Sequence, residues 1–142
     1  MNRMQITRLI AALFLGLVTV PTLAIAKDYT IKEVSDPSSK QPYFFEPSSL
    51  TIQPGDTVTF VNAQKDMHNV MFDVVPKALD EMIMGPDQEK EGSKWSYTFT
   101  VPGTYHYHCH PHEALGMKGT LIVGKASAPG DTKNIDHDGN EK

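Results

Sequence analysis

Hydrophobic and polar residues alternate along short stretches of this chain, and clusters of Pro, Gly and Ser separate the stretches. Residues 29–34 and 57–62 show the period of two clearly. Strands turn successive side chains to opposite faces, so this pattern predicts half-buried strands. We predict strands at residues 29–34, 43–45, 50–52, 57–62, 69–75, 95–100, 104–109 and 119–123. Short strands at such spacing indicate an all-β sandwich or barrel.

Two segments depart from the alternation. Residues 77–91 are predicted to hold one short helix or a long loop. After Gly124 the chain lacks large apolar residues except Ile135, so we predict a flexible tail over residues 125–142. One domain, residues 27–124, lies between this tail and the N-terminal segment.

The first 26 residues have the pattern of a secretory signal peptide. Arg3 and Arg8 precede a short apolar run at residues 9–20, and Ala24-Ile25-Ala26 is a small-x-small cleavage sequence. The run is shorter than the roughly 20 residues that span a bilayer. We predict cleavage before Lys27 and a periplasmic protein, with the thylakoid lumen and an uncleaved anchor as alternatives.

Charge and cysteine content narrow the function. The chain has 13 Lys and Arg against 17 Asp and Glu, and loss of the signal leaves 11 basic residues. This acidity argues against nucleic acid as a partner and suits a carrier that meets a basic protein. The single cysteine, Cys109, cannot form an internal disulfide. An unpaired thiol in an oxidising compartment needs protection, which metal ligation would provide.

The surroundings of that cysteine indicate a metal. His112 follows Cys109 by three residues, Met117 follows it by eight, and His68 stands 41 residues upstream. Two imidazoles, a thiolate and a thioether are the donors of mononuclear electron-transfer copper sites. A zinc site with an inert or ligating thiol is the alternative.

Several stretches resemble the cupredoxins of the plastocyanin, pseudoazurin and amicyanin group, over about residues 28–124. The matching pieces are Phe45-Glu46-Pro47-Ser48-Ser49-Leu50, Pro54-Gly55-Asp56-Thr57-Val58-Thr59-Phe60, His68-Asn69, Gly103-Thr104-Tyr105, Cys109, Pro111-His112 and Met117. The resemblance implies an eight-stranded Greek-key β-sandwich with one type 1 copper. It implies His68, Cys109, His112 and Met117 as ligands, and an amide of Asn69 hydrogen-bonded to the sulfur.

The same resemblance implies a soluble one-electron carrier that cycles copper between Cu(II) and Cu(I), and not an enzyme. It implies that His112 is the electron port, surrounded by Pro111, Ala114, Leu115 and Gly116. The expected partners are larger redox proteins such as a c-type cytochrome, oxidase, reductase or dehydrogenase. We expect a monomer without nucleic-acid partners and without stable membrane insertion after signal cleavage.

Other sulfur and imidazole groups leave alternatives open. Met67, Met71, Met82 and Met84 could hold Cu(I), so a copper chaperone or copper-storage protein is the second candidate. His106, His108 and His110 could form a second metal site, or they could be solvated surface imidazoles. A third interpretation places His108 on an electron route to a partner. Alternation predicts that His106 and His108 face away from the side of Cys109.

Overall fold

The computed structural model describes residues 25–142 and consists mainly of strands. Most of the predicted signal peptide, residues 1–24, lies outside the described residues. Within the described part, no helix has the length and apolarity needed to cross a membrane. The strands are β1 (Asp28–Ser35), β2 (Tyr43–Glu46), β3 (Ser49–Ile52), β4 (Asp56–Asn62), β5 (Met71–Pro76), β6 (Lys94–Phe99), β7 (Gly103–His108), β8 (Lys118–Val123) and β9 (Thr132–Asn134).

The strands form two sheets, and the predicted β-sandwich is confirmed. One sheet has the order β2-β1-β4-β6, and the other has the order β3-β8-β7-β5-β9. Two pairs are parallel, β1 with β4 and β3 with β8, and the other pairs are antiparallel. The eight predicted strands all occur, and β9 is an additional ninth strand.

Aromatic rings from both sheets fill the space between them. Tyr107 lies 4.8 Å from Phe45, 5.4 Å from Phe60 and 5.1 Å from Phe72, measured between ring centroids. Gly119, the register partner of Tyr107 on β8, leaves room for that ring, since a Cβ there would collide with it. Large buried rings supply most of the packing energy of such a core. They support the end of β7, where the cysteine follows.

Residues 77–91 form a long loop, one of the two predicted possibilities. Leu79 and Ile83 insert into the core, with 4% and 2% of their surface exposed. Isolated bridges join the loop to the neighbouring chain, between His68 and Gln88 and between Met71 and Met84. The loop is therefore anchored by two apolar side chains and by backbone pairing, without a helix.

The prediction of a flexible tail after Gly124 is wrong for the segment around β9. Residues 132–134 pair with β5 in antiparallel register, and Ile135 is only 6% exposed. The Ile135 amide donates to the carbonyl of Asp73 at 2.8 Å. The free edge of β5 offers backbone hydrogen bonds that need no apolar side chain, so composition did not reveal this pairing.

Candidate metal centre

The segment between β7 and β8 brings three of the four predicted ligands into one short loop. A 3₁₀ turn, His110–Leu115, starts directly after Cys109, with Pro111 in its first positions. Gly116 ends the turn with φ of 83°, a left-handed conformation that favours glycine. The Cys109 amide donates to the Met117 carbonyl at 3.1 Å, which closes the loop. The backbone thus fixes the spacing between the cysteine and the following donors.

The structure brings the cysteine and two histidines together. Sγ of Cys109 lies 3.4 Å from Nδ1 of His112 and 3.7 Å from Nδ1 of His68. One donor atom of each residue lies within 4.8 Å of the other two. Cys109, His68 and Met117 are all 0% exposed. The fourth predicted ligand, Met117, is thus buried at the end of the same loop.

His68 is held from the first sheet. Its Nε2 lies 3.0 Å from Oγ of Ser35, at the end of β1, and both groups are buried. Ser35 can accept the Nε2–H, which leaves the lone pair on Nδ1, the nitrogen nearest the sulfur. The backbone of His68 exchanges two hydrogen bonds with Gln88, of 2.7 and 3.2 Å. The ring orientation is therefore set before any ion binds.

Tyr43 and Gln41 hold the other histidine and its loop. The ring of Tyr43 stacks on His112 with centroids 3.8 Å apart and planes 7° apart. Nε2 of Gln41 donates to the carbonyls of Tyr43 and Leu115, at 2.9 and 2.5 Å. His112 itself is only partly buried, unlike His68. One imidazole of the pair therefore reaches the protein surface.

Asn69 ties the two halves of the site together. Its Oδ1 accepts the His110 amide at 2.8 Å, and its Nδ2 donates to Oδ1 of Asp87 at 2.9 Å. The backbone N–H groups of Asn69 and His112 lower the pKa of the Cys109 thiol, and the His112 amide donates to the Cys109 carbonyl at 3.1 Å. The residue after His68 thus fixes the ligand loop and stabilises negative charge on the sulfur.

Burial keeps the three donors neutral. It raises the pKa of the Cys109 thiol to about 11, although the two amides partly oppose the shift. Burial also lowers the pKa of His68 to about 4, and it lowers the pKa of His112. Both imidazoles therefore keep a free lone pair at neutral pH. A cation that displaces the thiol proton and is coordinated by both imidazole nitrogens fits this pocket. Thiolate and imidazole together are donors that suit copper.

The remaining histidines of β7 differ from one another. His106 is exposed, and its Nδ1 lies 3.0 Å from Oγ1 of Thr120. His108 is only 2% exposed, so the prediction of a solvated imidazole is wrong there. Asp73 on β5 and Glu113 in the 3₁₀ turn lie 3.4 and 3.6 Å from its ring nitrogens, and the ring of His137 in the tail lies 6.4 Å away between centroids. The tail also brings His137 close to His108 and His110, and His106 is not part of that group.

Sequence reasoning did not identify four residues of these sites: Ser35, Tyr43, Gln88 and His137. The first three come from distant segments and have no motif around them. His137 carried one available sign, since it is an isolated histidine in an otherwise charged and small-residue tail. Nothing in the local pattern placed it beside β7.

Comparison with known proteins supports the geometric result. A family model described as copper binding proteins of the plastocyanin/azurin family matches residues 32–124. Plastocyanin of Scenedesmus fuscus is 39% identical over 100 residues, which are 68% of this chain and 99% of that protein.

Solved structures show the same likeness. A pseudoazurin from Sinorhizobium meliloti is similar with a TM-score of 0.61 and 31% identity, over 71% of this chain and 76% of that one. An oxidized amicyanin mutant is similar with a TM-score of 0.51 and 35% identity, over 67% of this chain and 80% of that one.

Proposed function

Because this chain belongs to the plastocyanin/azurin family of copper-binding proteins and has copper as its cofactor, we propose that it is a one-electron carrier between larger redox proteins. The observation that carries this proposal is the buried donor set, with Sγ of Cys109 at 3.4 and 3.7 Å from two imidazole nitrogens. Bound copper supplies a one-electron couple at that point. The protein makes and breaks no substrate bond in this role.

We assign His68, Cys109, His112 and Met117 as the residues that hold the ion. Ser35 fixes the tautomer of His68, and Tyr43 fixes the plane of His112. The full burial of Cys109 and Met117 excludes water from the sulfur side. Donors that are already oriented need little rearrangement when the charge of the site changes, which keeps the activation barrier low.

His112 is the proposed route for electrons. It is the one donor of the set that reaches the surface, and exposed Pro111, Ala114, Leu115 and Gly116 surround it. Leu115 is 51% exposed, so a small apolar contact area lies beside the ring. Small, weak interfaces are typical of transient redox encounters. The net negative charge favours partners with a basic docking surface, such as a c-type cytochrome.

The compartment follows from the predicted signal peptide. Removal of residues 1–26 would place the mature protein in the periplasm, or in a thylakoid lumen, where reduced and oxidised partners meet. N-terminal sequencing of the protein purified from its native host tests this assignment. A mature chain that starts at Lys27 supports it, and an intact Met1 contradicts it.

One observation favours the second candidate, a copper chaperone or store. Met67, Met82 and Met84 expose 40%, 42% and 50% of their surface, and exposed thioethers bind Cu(I). A chaperone must release its ion, whereas a carrier must retain it through many redox cycles. Retention therefore separates the two functions.

The test uses copper-loaded protein in repeated reduction and reoxidation, with a Cu(I) chelator present. A carrier keeps an intense thiolate-to-copper absorption band and its metal through every cycle. Loss of the metal to the chelator in the first reduction would support the chaperone and overturn the carrier. Leu115→Glu should then slow transfer to a cytochrome and leave the band unchanged. Thr98→Glu, on the exposed face of β6, is the matched control and should leave transfer unchanged.

A further inference from the structure

Three histidines come together on the outer side of β7, on the opposite face from Cys109. They are His108 at the end of β7, His110 at the start of the 3₁₀ turn and His137 in the tail. We propose that these residues form a second metal site, for a divalent ion that prefers imidazole, Cu²⁺ before Zn²⁺. We name it the outer site, and the Cys109 centre is the inner site.

The geometry of the outer site suits a single ion. One nitrogen from each histidine lies within 4.8 Å of the other two. The ring centroids of His110 and His137 are 4.5 Å apart, and His108 lies 6.0 and 6.4 Å from them. Nδ1 of His137 is also 3.3 Å from Sδ of Met71, so a thioether borders the group. Three imidazoles around one point are a recurrent arrangement in zinc and copper sites.

His108 provides a second and independent observation. Its side chain is 2% exposed, and neither ring nitrogen has a hydrogen-bond partner among the described residues. Oδ2 of Asp73 lies 3.4 Å from Nδ1, and Oε2 of Glu113 lies 3.6 Å from Nε2, without hydrogen-bond alignment. Buried polar atoms without partners are costly and rare in native proteins. An ion on one nitrogen would satisfy that atom.

The nearby carboxylates make the outer site favourable for a cation. Asp73, His108 and Glu113 form a group of their own, with donor atoms within 4.8 Å of one another. Glu113 also pairs with Nζ of Lys118 at 3.5 Å, so Asp73 is the side chain that best offsets the charge of a divalent ion held by three imidazoles. Imidazole and carboxylate donors bind Cu²⁺ more tightly than Zn²⁺ at a site of this composition.

A turn in the tail holds His137 in position. Oδ1 of Asp136 accepts the amides of Asp138 and Asn140, at 3.0 and 2.8 Å. The pairing of Ile135 with Glu141 closes the segment, and buried Ile135 fixes it to β5. His137 therefore lies in a turn that is ordered by hydrogen bonds. An ion shared with His108 and His110 would in addition bind the tail to β7 and to the ligand loop.

Two separate calorimetric titrations of copper-loaded, full-length protein, one with Zn²⁺ and one with Cu²⁺, test the outer site. The copper of the inner site blocks uptake there, and its visible band reports that it stays in place. We expect one further equivalent of each ion, bound more tightly for Cu²⁺. His137→Ala and His110→Ala should each weaken Zn²⁺ binding by at least about 10-fold, the lower end of what an outer-shell partner is worth. His106→Ala, on the same strand and outside the group, should bind as the wild type does.

Zinc should also slow hydrogen exchange at the amides of residues 132–137 in the wild type and not in His137→Ala. Two results would overturn the proposal. One is the absence of a further equivalent in the wild type. The other is Zn²⁺ binding of wild-type strength in both His137→Ala and His110→Ala, which would place the ion at an unrelated surface group.

Discussion

The histidines on the two sides of the end of β7 differ in how many contacts fix their imidazole rings. On the inner face, Ser35 binds the far nitrogen of His68, and Tyr43 stacks on His112. On the outer face, both nitrogens of His108 lack hydrogen bonds within the described chain, and His110 and His137 are exposed. The inner donors come from the sandwich itself, whereas one outer donor comes from the tail.

This difference predicts that the two sites differ in how tightly they bind a metal ion and how readily they release it. Donors that are oriented by buried partners lose little entropy when an ion arrives, so the inner site should bind tightly and change little in shape. The outer group depends on a surface turn for one donor, so its ion should exchange readily. The inner site thus suits retention of an electron-transfer ion, and the outer group suits reversible binding.

Cys109→Ser is the substitution that should separate the two faces most strongly. Serine removes the sulfur that we propose as a copper ligand, so the visible thiolate-to-copper band should disappear. The copper affinity of the inner site should fall by more than about 100-fold, the upper end of what a lost outer-shell partner costs. Absorption spectroscopy and competition with a chelator measure both effects.

Zn²⁺ uptake by the outer site is the internal control for this variant. The imidazoles of His108 and His110 group with His137 and not with Cys109, so the Zn²⁺ equivalent of the outer site should remain. Loss of copper from the inner site together with Zn²⁺ from the outer site would show that the two faces form one coupled site, and not two independent ones. A surviving thiolate-type band would show that Cys109 is not a ligand.

Glu33 is a buried carboxyl near the inner site whose hydrogen bonds are incomplete. It is 0% exposed, and Nε2 of Gln88 donates to its Oε2 at 2.8 Å. Its Oε1 and the Oε1 of Gln88 have no partner in the described chain. Burial raises the pKa of Glu33 from 4.5 to about 7, so the folded protein retains a proton that the unfolded chain releases.

The contribution of Glu33 to stability is therefore present below pH 4.5 and lost as the pH rises to about 7, a change of roughly 3 kcal/mol. Glu33→Gln should remove this change from the unfolding free energy of the metal-free protein. His68, whose pKa burial lowers to about 4, gives an opposite slope in both proteins and cancels in their difference.

Urea unfolding from pH 4 to pH 8 measures the difference. Glu46→Gln, an exposed residue on the adjacent strand β2, is the control and should follow the wild type. Parallel curves for the wild type and Glu33→Gln would contradict a neutral carboxyl at this position.

The sequence was sufficient to predict the sheets and the grouping of Cys109 with His68 and His112, for different reasons. Alternation located strands such as β4 because such a strand buries one face, as its pattern of buried and half-buried residues shows. Cys109, His68 and His112 were found because an unpaired cysteine with a histidine three residues later has few structural roles other than binding a metal. The ordered tail was missed because β9 is held by backbone hydrogen bonds, which any residue except proline can make.

The supports of the site were out of reach for another reason. Ser35 and His68 are 33 residues apart, and only the packing of β1 against the loop before β5 brings them together. A serine at a strand end has no spacing that distinguishes it from other serines. The position of His137 beside His108 was out of reach in the same way, since it lies in a tail whose order was not predicted.

Ser35→Ala should weaken the inner site alone. Without the hydroxyl, Nε2 of buried His68 loses its partner, and the ring can adopt the other tautomer. Copper affinity should fall by about 10- to 100-fold, and metal-free stability by about 1 kcal/mol. Chelator competition and urea unfolding measure the two effects. Ser96→Ala on the exposed face of β6 is the control, and equal affinity in the two variants would remove Ser35 from the site.

Tyr43→Leu should give the smallest effect, because it removes a stack and not a hydrogen bond. Leucine keeps apolar cover over His112 but loses the parallel ring contact at 3.8 Å, which is worth about 1 kcal/mol. The unfolding free energy should fall by that amount, and the His112 ring should become more mobile in NMR relaxation. Tyr43→Phe keeps the ring and should match the wild type in both measurements. If Tyr43→Leu leaves His112 as rigid as Tyr43→Phe does, then the backbone of the 3₁₀ turn alone orients that imidazole. Stacking on Tyr43 would then not contribute to the order of the inner site.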